Sequence, residues 1–307
     1  MSRTVFLGTS DFAATVLRGL ASSPQRPLLA VTPPPRRRGR GRRQSAVPAA
    51  LAAAELGIEV LETADVNEPG PIEEIGAARP DVVCVCAFGQ LIREPLLSEH
   101  LMLNLHPSLL PRWRGAAPIE RAIMAGDEVT GNCVIRLVEE LDAGPVGLRE
   151  EMEIAEAENY GHLAARLAES GARLLTRALD LAQGGGIEFT EQPAEGITYA
   201  EKVDSSERLI DPSRPAAELA RQVRALTPHI GAHLEAPAGG ESLGVRRARA
   251  ESGDLGAGVI ETADDALLLG CAEGVLRIEE VQAPGSRPME VAAYLRGRRP
   301  PDRARIP

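Results

Sequence analysis

Apolar positions along the first third of this chain fall into two alternating regimes. Short, nearly continuous apolar runs (RTVFLG, PLLAVT, IEVLE, DVVCVCAF, LMLNLH) alternate with stretches whose apolar residues recur every three or four positions (TSDFAATVLRGLASS, AALAAAELG, IEEIGAAR). The runs read as buried strands and the periodic stretches as helices, the first capped by Ser10 or Asp11. Strands alternating with helices predict an α/β fold, a Rossmann-like, mostly parallel sheet with helices on both faces. IERAIMAG then reads as a helix, and GNCVIRLVEEL and GLREEMEI as strands. From Asn159 to Ala182, Leu163, Leu167, Leu174, Ala178 and Leu181 keep the spacing of a long amphipathic helix.

The pattern changes after residue 182. QGGGIEFTEQPAEGITYAEKVDSSE is polar and Gly-rich, with few core positions, and reads as a linker over residues 183–206. PAAELARQVRAL is a helix, and AHLEA, SLGVRRARA, GVIETA, ALLLGCA and VLRIEEVQA are short strands separated by Gly and Pro. They predict a small, OB-like C-terminal β-barrel over residues 207–307, so the expected domains are 1–182 and 207–307. One early stretch fits neither regime: PPPRRRGRGRRQSAVP reads as an irregular basic loop, with Arg36, Arg37, Arg38, Arg40, Arg42 and Arg43 punctuated by Gly39 and Gly41.

Composition narrows the function classes. The 307 residues carry a net charge of −10, against wrapping a long nucleic acid but compatible with a local basic patch on an acidic body. The cysteines are Cys84, Cys86, Cys133 and Cys271, without C-x-x-C pairs or clustered histidines, so no metal is expected and a reduced compartment fits. MSRTVFLG enters a strand without an apolar leader or cleavage site. No run approaches the roughly 20 apolar residues of a membrane span. A cytoplasmic protein without membrane contact is expected.

The candidate chemistry lies in NLHPSLLPRWRGAAP, residues 104–118. Asn104 and His106 are two apart on a strand and point to the same face. They stand at the carboxyl end, where open α/β sheets place ligands. Asp142, in EELDAGP, lies in a turn after another strand, so an amide, an imidazole and a carboxylate can converge. An amide can hold a carbonyl oxygen as charge builds on it. An imidazole can donate to that oxygen or move a proton. No Ser or Cys stands ready as a nucleophile, since Ser108 follows His106 too closely in the turn. This favours direct attack of a substrate nucleophile on a carbonyl. Taken one at a time, each residue also has a plain structural reading: a histidine closing a strand before Pro107, an aspartate suited to a turn, a solvated basic loop.

These segments resemble the formyltransferases that use 10-formyltetrahydrofolate, and over nearly the whole chain they resemble the methionyl-tRNA formyltransferase family. NLHPSLLPRWRGAAPIE resembles the family's INLHPSLLPRYRGAAPIQ, VFLGTSDFAATVL its FxGTPxFA opening, and AFGQLIREPLL its AYGxILPxxVL. TGNCVIRLVEELDAGPV, YAEKV, PAAELARQVRALTPHIGA and VLRIEEVQAPGSRPM match its later segments in order. The resemblance implies that Asn104, His106 and Asp142 are catalytic, with a tetrahedral oxyanion stabilised by Asn104 and His106 and the amine or His106 oriented by Asp142. It implies that Phe88, Ser108, Leu109, Leu110 and Pro111 contact the folate, that the six loop arginines contact tRNA, and that the C-terminal domain binds tRNA. The implied partners are initiator methionyl-tRNA and tetrahydrofolate, and a monomer is expected.

Departures from the family pattern are Ser10 after GT, VTPPPRRRGRGRR in place of VTQPDRPAGRGKK, a missing Trp in LIDPSRPA, and Pro145 in LDAGPV. They bear on tRNA contact rather than on folate chemistry. Relatives acting on a small amine, such as an amino-sugar nucleotide or glycinamide ribonucleotide, share the catalytic logic but not this tail. A nicotinamide dehydrogenase needs three phosphate-loop glycines where GTSDFA has one. A tRNA-binding module without activity would not need all three of Asn104, His106 and Asp142.

Overall fold

The computed structural model describes residues 2–38, 43–235, 242–263, 265–297 and 303–306. They form two units, one of Met1–Pro118, Val129–Glu153 and Ala164–Glu201, the other of Ile119–Glu128, Ile154–Leu163 and Lys202–Pro307.

The first unit opens with β1 (Thr4–Gly8), α1 (Asp11–Ala21) and β2 (Leu29–Thr32). Ser10 caps α1, its hydroxyl accepting from the Ala13 amide at 3.3 Å. Next come β3 (Arg36–Arg38) and β4 (Arg43–Ser45), then α2 (Pro48–Glu55), β5 (Glu59–Glu62), α3 (Pro69–Ala77) and β6 (Val82–Cys86). Proline at the first turn of α2 and of α3 suits a position where no amide partner is needed. The short α4 (Leu96–Glu99), β7 (Met102–His106), β8 (Arg114–Gly115), α5 (Pro118–Ala125), β9 (Val129–Arg136), β10 (Val146–Glu153), α6 (Tyr160–Gly184) and β11 (Tyr199–Ala200) follow along the chain, α5 after Pro118 and the start of α6 up to Leu163 being counted in the second unit.

The main sheet has the order β10-β9-β7-β6-β1-β2-β5. Strands β7, β6, β1, β2 and β5 are parallel, while β9 runs against β7 and β10 against β9. The sheet is therefore mostly parallel, as the alternation of elements requires. The inner strands β1, β2, β6 and β7 are buried along their whole length because both faces are covered there, whereas the edge strands β5 and β10 are partly exposed. One core gathers Phe6, Leu17, Leu20, Leu103, Leu105 and Leu175; the other gathers Leu7, Val31, Ile75, Val83 and Met102.

Two local expectations are corrected. The basic stretch after β2 is not wholly irregular: β3 and β4 pair as an antiparallel hairpin, Arg36 with Ser45 and Arg38 with Arg43. Cross-strand bonds join backbone groups whatever the side chains carry, so a run of like charges does not bar a hairpin. The apolar stripe of α6 holds at Leu163, Leu167, Leu174 and Ala178, but Leu181 is exposed.

The stretch expected to be a linker carries structure over 187–200. Ile187 and Phe189 pack on the first core, and Thr190 and Val146 exchange backbone hydrogen bonds of 2.8 and 2.9 Å. β11 adds in parallel to β8. The apolar residues here are too few and too widely spaced to show a period, because their partners lie far away in the chain.

The second unit contains a one-turn 3₁₀ helix (Ser206–Arg208), α7 (Ala216–Leu226), β12 (Ala232–Leu234), β13 (Leu243–Glu251), β14 (Val259–Ala263), β15 (Ala266–Gly270), β16 (Val275–Gln282), β17 (Met289–Glu290), α8 (Val291–Gly297) and β18 (Arg303–Arg305). The order β12-β13-β16-β15-β14-β18, with β17 on β16, is antiparallel throughout and makes a half-barrel. Leu219, Val223 and Leu226 of α7 join Val245, Leu269, Leu276 and Ile278 in one core. The helix that fills this sheet is legible in PAAELARQVRAL; α8 and β18 are not, being short and flanked by Pro and Arg. Among the described residues no helix is long and apolar enough to cross a membrane.

Candidate active site

β7 alternates its side chains strictly. Leu103 and Leu105 enter one core and Met102 the other, while Asn104 and His106 continue the Met102 face to the carboxyl end of the strand. Both are buried, at 9% and 4% exposure. β7 is also where the sheet changes direction, with parallel β6 on one side and antiparallel β9 on the other.

Asp142 reaches this strand end from the turn between β9 and β10. Its backbone is left-handed, at φ 49°, a region aspartate tolerates better than most residues. One carboxylate oxygen, Oδ1, accepts from Asn104 Nδ2 at 3.1 Å. The other, Oδ2, accepts from the Gly115 amide at 2.9 Å and lies 3.5 Å from His106 Nδ1. The amide, imidazole and carboxylate expected to converge are thus brought together, with Asp142 as the joint.

The opposite edge of the imidazole is committed. His106 Nε2 is 2.8 Å from the Trp113 carbonyl, which can only accept, so this nitrogen carries a proton and donates it. Nδ1, facing Asp142, is then the nitrogen left to exchange a proton. Asn104 keeps one amide N–H and its carbonyl without a protein partner among the described residues.

A hydrogen-bonded frame holds these parts, and most of it is invisible in the sequence. Gln192 Nε2 donates to the carbonyls of Asp142 and Gly144 at 2.7 and 2.8 Å, gripping the turn from behind. Its Oε1 accepts from Nε and Nη2 of the buried Arg114 at 3.1 and 2.9 Å, and Arg114 Nη1 reaches Glu140 at 3.3 Å. The Trp113 amide donates to Thr198 Oγ1 at 2.9 Å. Gly115 has φ 122°, and a Cβ there would lie 2.8 Å from the Ala200 carbonyl. Only glycine lets its amide face Asp142 while β8 pairs with β11.

The folate-loop residues take different places. The Ser108 hydroxyl is fully buried and donates to the Arg112 carbonyl at 2.6 Å, closing the turn after His106. Leu110 packs on Cys133 and Ile135 of β9, whereas Leu109 and Pro111 are half-buried. Phe88, just past β6, lies in the second core with Val85, Ile92 and Leu96. Cys133 stands opposite His106 in the sheet, but burial raises its thiol pKa above the ordinary value. It stays protonated and supplies no nucleophile. Among the described residues no group of three or more His, Cys, Asp or Glu is placed to hold a metal ion.

The basic hairpin leaves the carboxyl end of β2, three strands from β7 in the parallel part of the sheet. At about 4.8 Å per strand the two exits are roughly 14 Å apart at the same edge. Arg36, Arg37, Arg38 and Arg43 contribute their backbones to β3 and β4, whereas Arg40 and Arg42 lie outside the described residues.

Comparison with known proteins agrees over both units. A family model described as formyl transferase matches residues 2–179, and one described as formyl transferase, C-terminal domain, matches 202–299. The methionyl-tRNA formyltransferase of Caulobacter vibrioides is 41% identical over 301 residues, covering 96% of each chain. That of a Nocardioides species is 42% identical over 302 residues, covering 97% of this chain and 95% of the other. The fold is also that of HypX from Aquifex aeolicus, solved in complex with tetrahydrofolic acid, with TM-score 0.64 at 19% identity over 96% of this chain and 47% of that one.

Proposed function

This chain belongs to the formyl transferase family, and from that premise we propose that it transfers the formyl group of 10-formyltetrahydrofolate to the amino group of initiator methionyl-tRNA. The observation that carries the chemistry is the Asp142 carboxylate joining Asn104, the Gly115 amide and the Nδ1 edge of His106 at one strand end. The substrate assignment is supported by near full-length identity to relatives named for that reaction. The donor site fits the residues present, because the unused Asn104 N–H is a ready partner for a formyl oxygen.

The amine of an aminoacyl ester is partly neutral near physiological pH and attacks the formyl carbon directly. As the new C–N bond forms, Asn104 donates to the oxygen on which negative charge builds. Asp142 keeps the Asn104 amide pointed at that oxygen and draws the attacking amine's proton through His106 Nδ1. The proton ends on the folate nitrogen that departs as the old C–N bond breaks. His106 contributes through Nδ1, since its Nε2–H is held by Trp113. In this reading Phe88, Ser108, Leu109, Leu110 and Pro111 contact the folate. The enzyme acts in the cytoplasm as a monomer.

The test is a formylation assay offering charged initiator tRNA, charged elongator methionyl-tRNA, glycinamide ribonucleotide and amino-sugar nucleotides. Initiator methionyl-tRNA is expected to be formylated far faster than the others, and preference for either small amine overturns the assignment.

In the same reading the hairpin arginines grip phosphates near the charged end of the acceptor stem. Replacing Arg36, Arg37, Arg38, Arg40, Arg42 and Arg43 with serine is expected to weaken tRNA binding. The slope of log Kd against log salt should flatten by about 0.7–0.9 for each phosphate no longer gripped, with folate affinity unchanged. An unchanged slope returns this stretch to the role of a solvated hairpin.

A further inference from the structure

On the half-barrel, two neighbouring arginines of β13 meet opposite kinds of partner. Arg247 is surrounded by carboxylates, 3.1 Å from Glu279, 3.7 Å from Glu280 and 2.7 Å from Glu290. Arg249 lies 2.9 Å from Glu251 and 3.4 Å from Glu279. On that surface the carboxylates outnumber the guanidinium groups they pair with.

Arg246 does not share it. Pairing between β13 and β16 steps from Val245–Val281 to Arg247–Glu280, which leaves Arg246 as the extra residue of a bulge. A bulge re-aims its side chain. Here the guanidinium donates, among the described residues, to neutral oxygens only: Nε to Gln282 Oε1 at 2.9 Å, Nη2 to the same atom, and Nη1 to the Pro228 carbonyl at 3.4 Å.

Arg208, at the end of the 3₁₀ turn, approaches the same spot. Its Nε donates to the Gly231 carbonyl at 3.1 Å, and its two terminal nitrogens have no protein acceptor among the described residues. Gly231 is also what Arg246 packs against: its φ is 79°, and a Cβ would lie 2.3 Å from Arg246 Nη1. His233 sits two residues on, its carbonyl accepting from the Ile210 amide at 2.9 Å. Burial, then the charge of Arg208, lowers the pKa of both Arg246 and His233. Glu280 acts on Arg246 and Glu235 on His233 from a distance, and among the described residues neither forms an ion pair with the two arginines. Glu207 is paired with Arg121 and Glu280 with Arg247, while Glu235 makes no ion pair with Arg208 or Arg246 among the described residues. Two fixed guanidinium groups therefore share one place with no carboxylate in ion-pair contact among the described residues, an arrangement that a bound anion would stabilise.

We propose that Arg208 and Arg246 form a phosphate-binding site on the second unit that takes a phosphodiester of the RNA substrate. The site rests on the reading of this chain as acting on tRNA. It names which face of the half-barrel the RNA meets and excludes the carboxylate-paired Arg247–Arg249 face. Guanidinium forks match the paired oxygens of a phosphodiester, and their orientation is set before binding by Gln282, Pro228 and Gly231.

The test uses the full chain and measures tRNA Kd across salt, formylation in parallel, and the melting temperature of every variant. Arg208→Gln/Arg246→Gln is expected to lower the salt slope by about 1.4–1.8 and to weaken binding about tenfold at moderate salt. Arg247→Gln/Arg249→Gln should leave the slope unchanged. If the glutamine pair lowers the melting temperature, Arg208→Lys/Arg246→Lys keeps the charge and should retain the slope while binding a few-fold more weakly. An unchanged slope in the glutamine pair, or an equal loss in the Arg247/Arg249 pair, overturns the site. So does inorganic phosphate raising the melting temperature of the parent, but not of the glutamine pair, with the tRNA slope unmoved: that is a small-anion site. A parent that binds tRNA without formylating it removes the proposed function, whereas a parent that formylates with an unmoved slope removes only the site.

Discussion

Asp142→Ala is expected to lower the turnover of formyl transfer by about 10²–10⁴, the range for losing a group that positions and moves a proton. The carboxylate holds the Asn104 amide at 3.1 Å and the Gly115 amide at 2.9 Å and faces His106 Nδ1. Alanine removes all three partners at once and frees the Asn104 amide to turn away from the formyl oxygen. Asp142→Asn should be nearly as damaging, though it is the same size. A carboxamide has one oxygen, and here two amide donors arrive from different sides. Whichever way it turns, an NH₂ group faces an N–H. Asn104→Ala should cost about 10²–10³ in turnover, as loss of an oxyanion donor does. His106→Ala should be at least as severe. Folate affinity, measured by quenching or calorimetry, should change little in all of them. Full activity in any variant removes that residue from the mechanism.

Gln192→Leu is expected to have the next largest effect, although Gln192 touches no reacting atom. Leucine is close in size but strands two carbonyls, those of Asp142 and Gly144, and leaves the buried Arg114 guanidinium without its neutral acceptor. Each unsatisfied buried group costs about 1–3 kcal/mol. The turn therefore relaxes rather than bearing the whole cost, and Asp142 has little reason to keep its left-handed backbone. Turnover should fall by about 10–10², with KM for both substrates within about twofold, and the melting temperature should drop. A variant that melts earlier but keeps parental turnover would make Gln192 a purely structural residue.

These residues divide sharply in how legible they are. Asn104 and His106 can be read from the sequence because strand alternation is local, and two positions apart on a strand means one face. Asp142 reads only as a turn residue, and its meeting with β7 depends on the β9–β10 connection folding back. Gln192 carries no local signal at all, since the carbonyls it holds are 50 and 48 residues earlier in the chain. Its segment looks like a linker because Phe189, Gln192, Thr198 and Ala200 each face a distant partner, and no period records distant partners. The parallel sheet was legible because its period and its punctuation agree. The Arg-rich hairpin was not, because backbone pairing leaves no mark on a run of arginines.

The parallel pairing of β8 with β11 has a consequence for how the enzyme comes into being. Strand β7, with Asn104 and His106, can dock on β6 early in synthesis, but Gly115 has no edge to pair with until Tyr199 and Ala200 exist. At translation speeds of about 5–20 residues per second, roughly 5–20 s separate the polymerisation of His106 from that of Ala200. Throughout that interval the nascent chain holds the reactive amide and imidazole without the loop that aims them. A nascent chain halted before Tyr199 is therefore expected to show no formyl transfer, with competence arriving only when the ribosome has nearly finished the first unit.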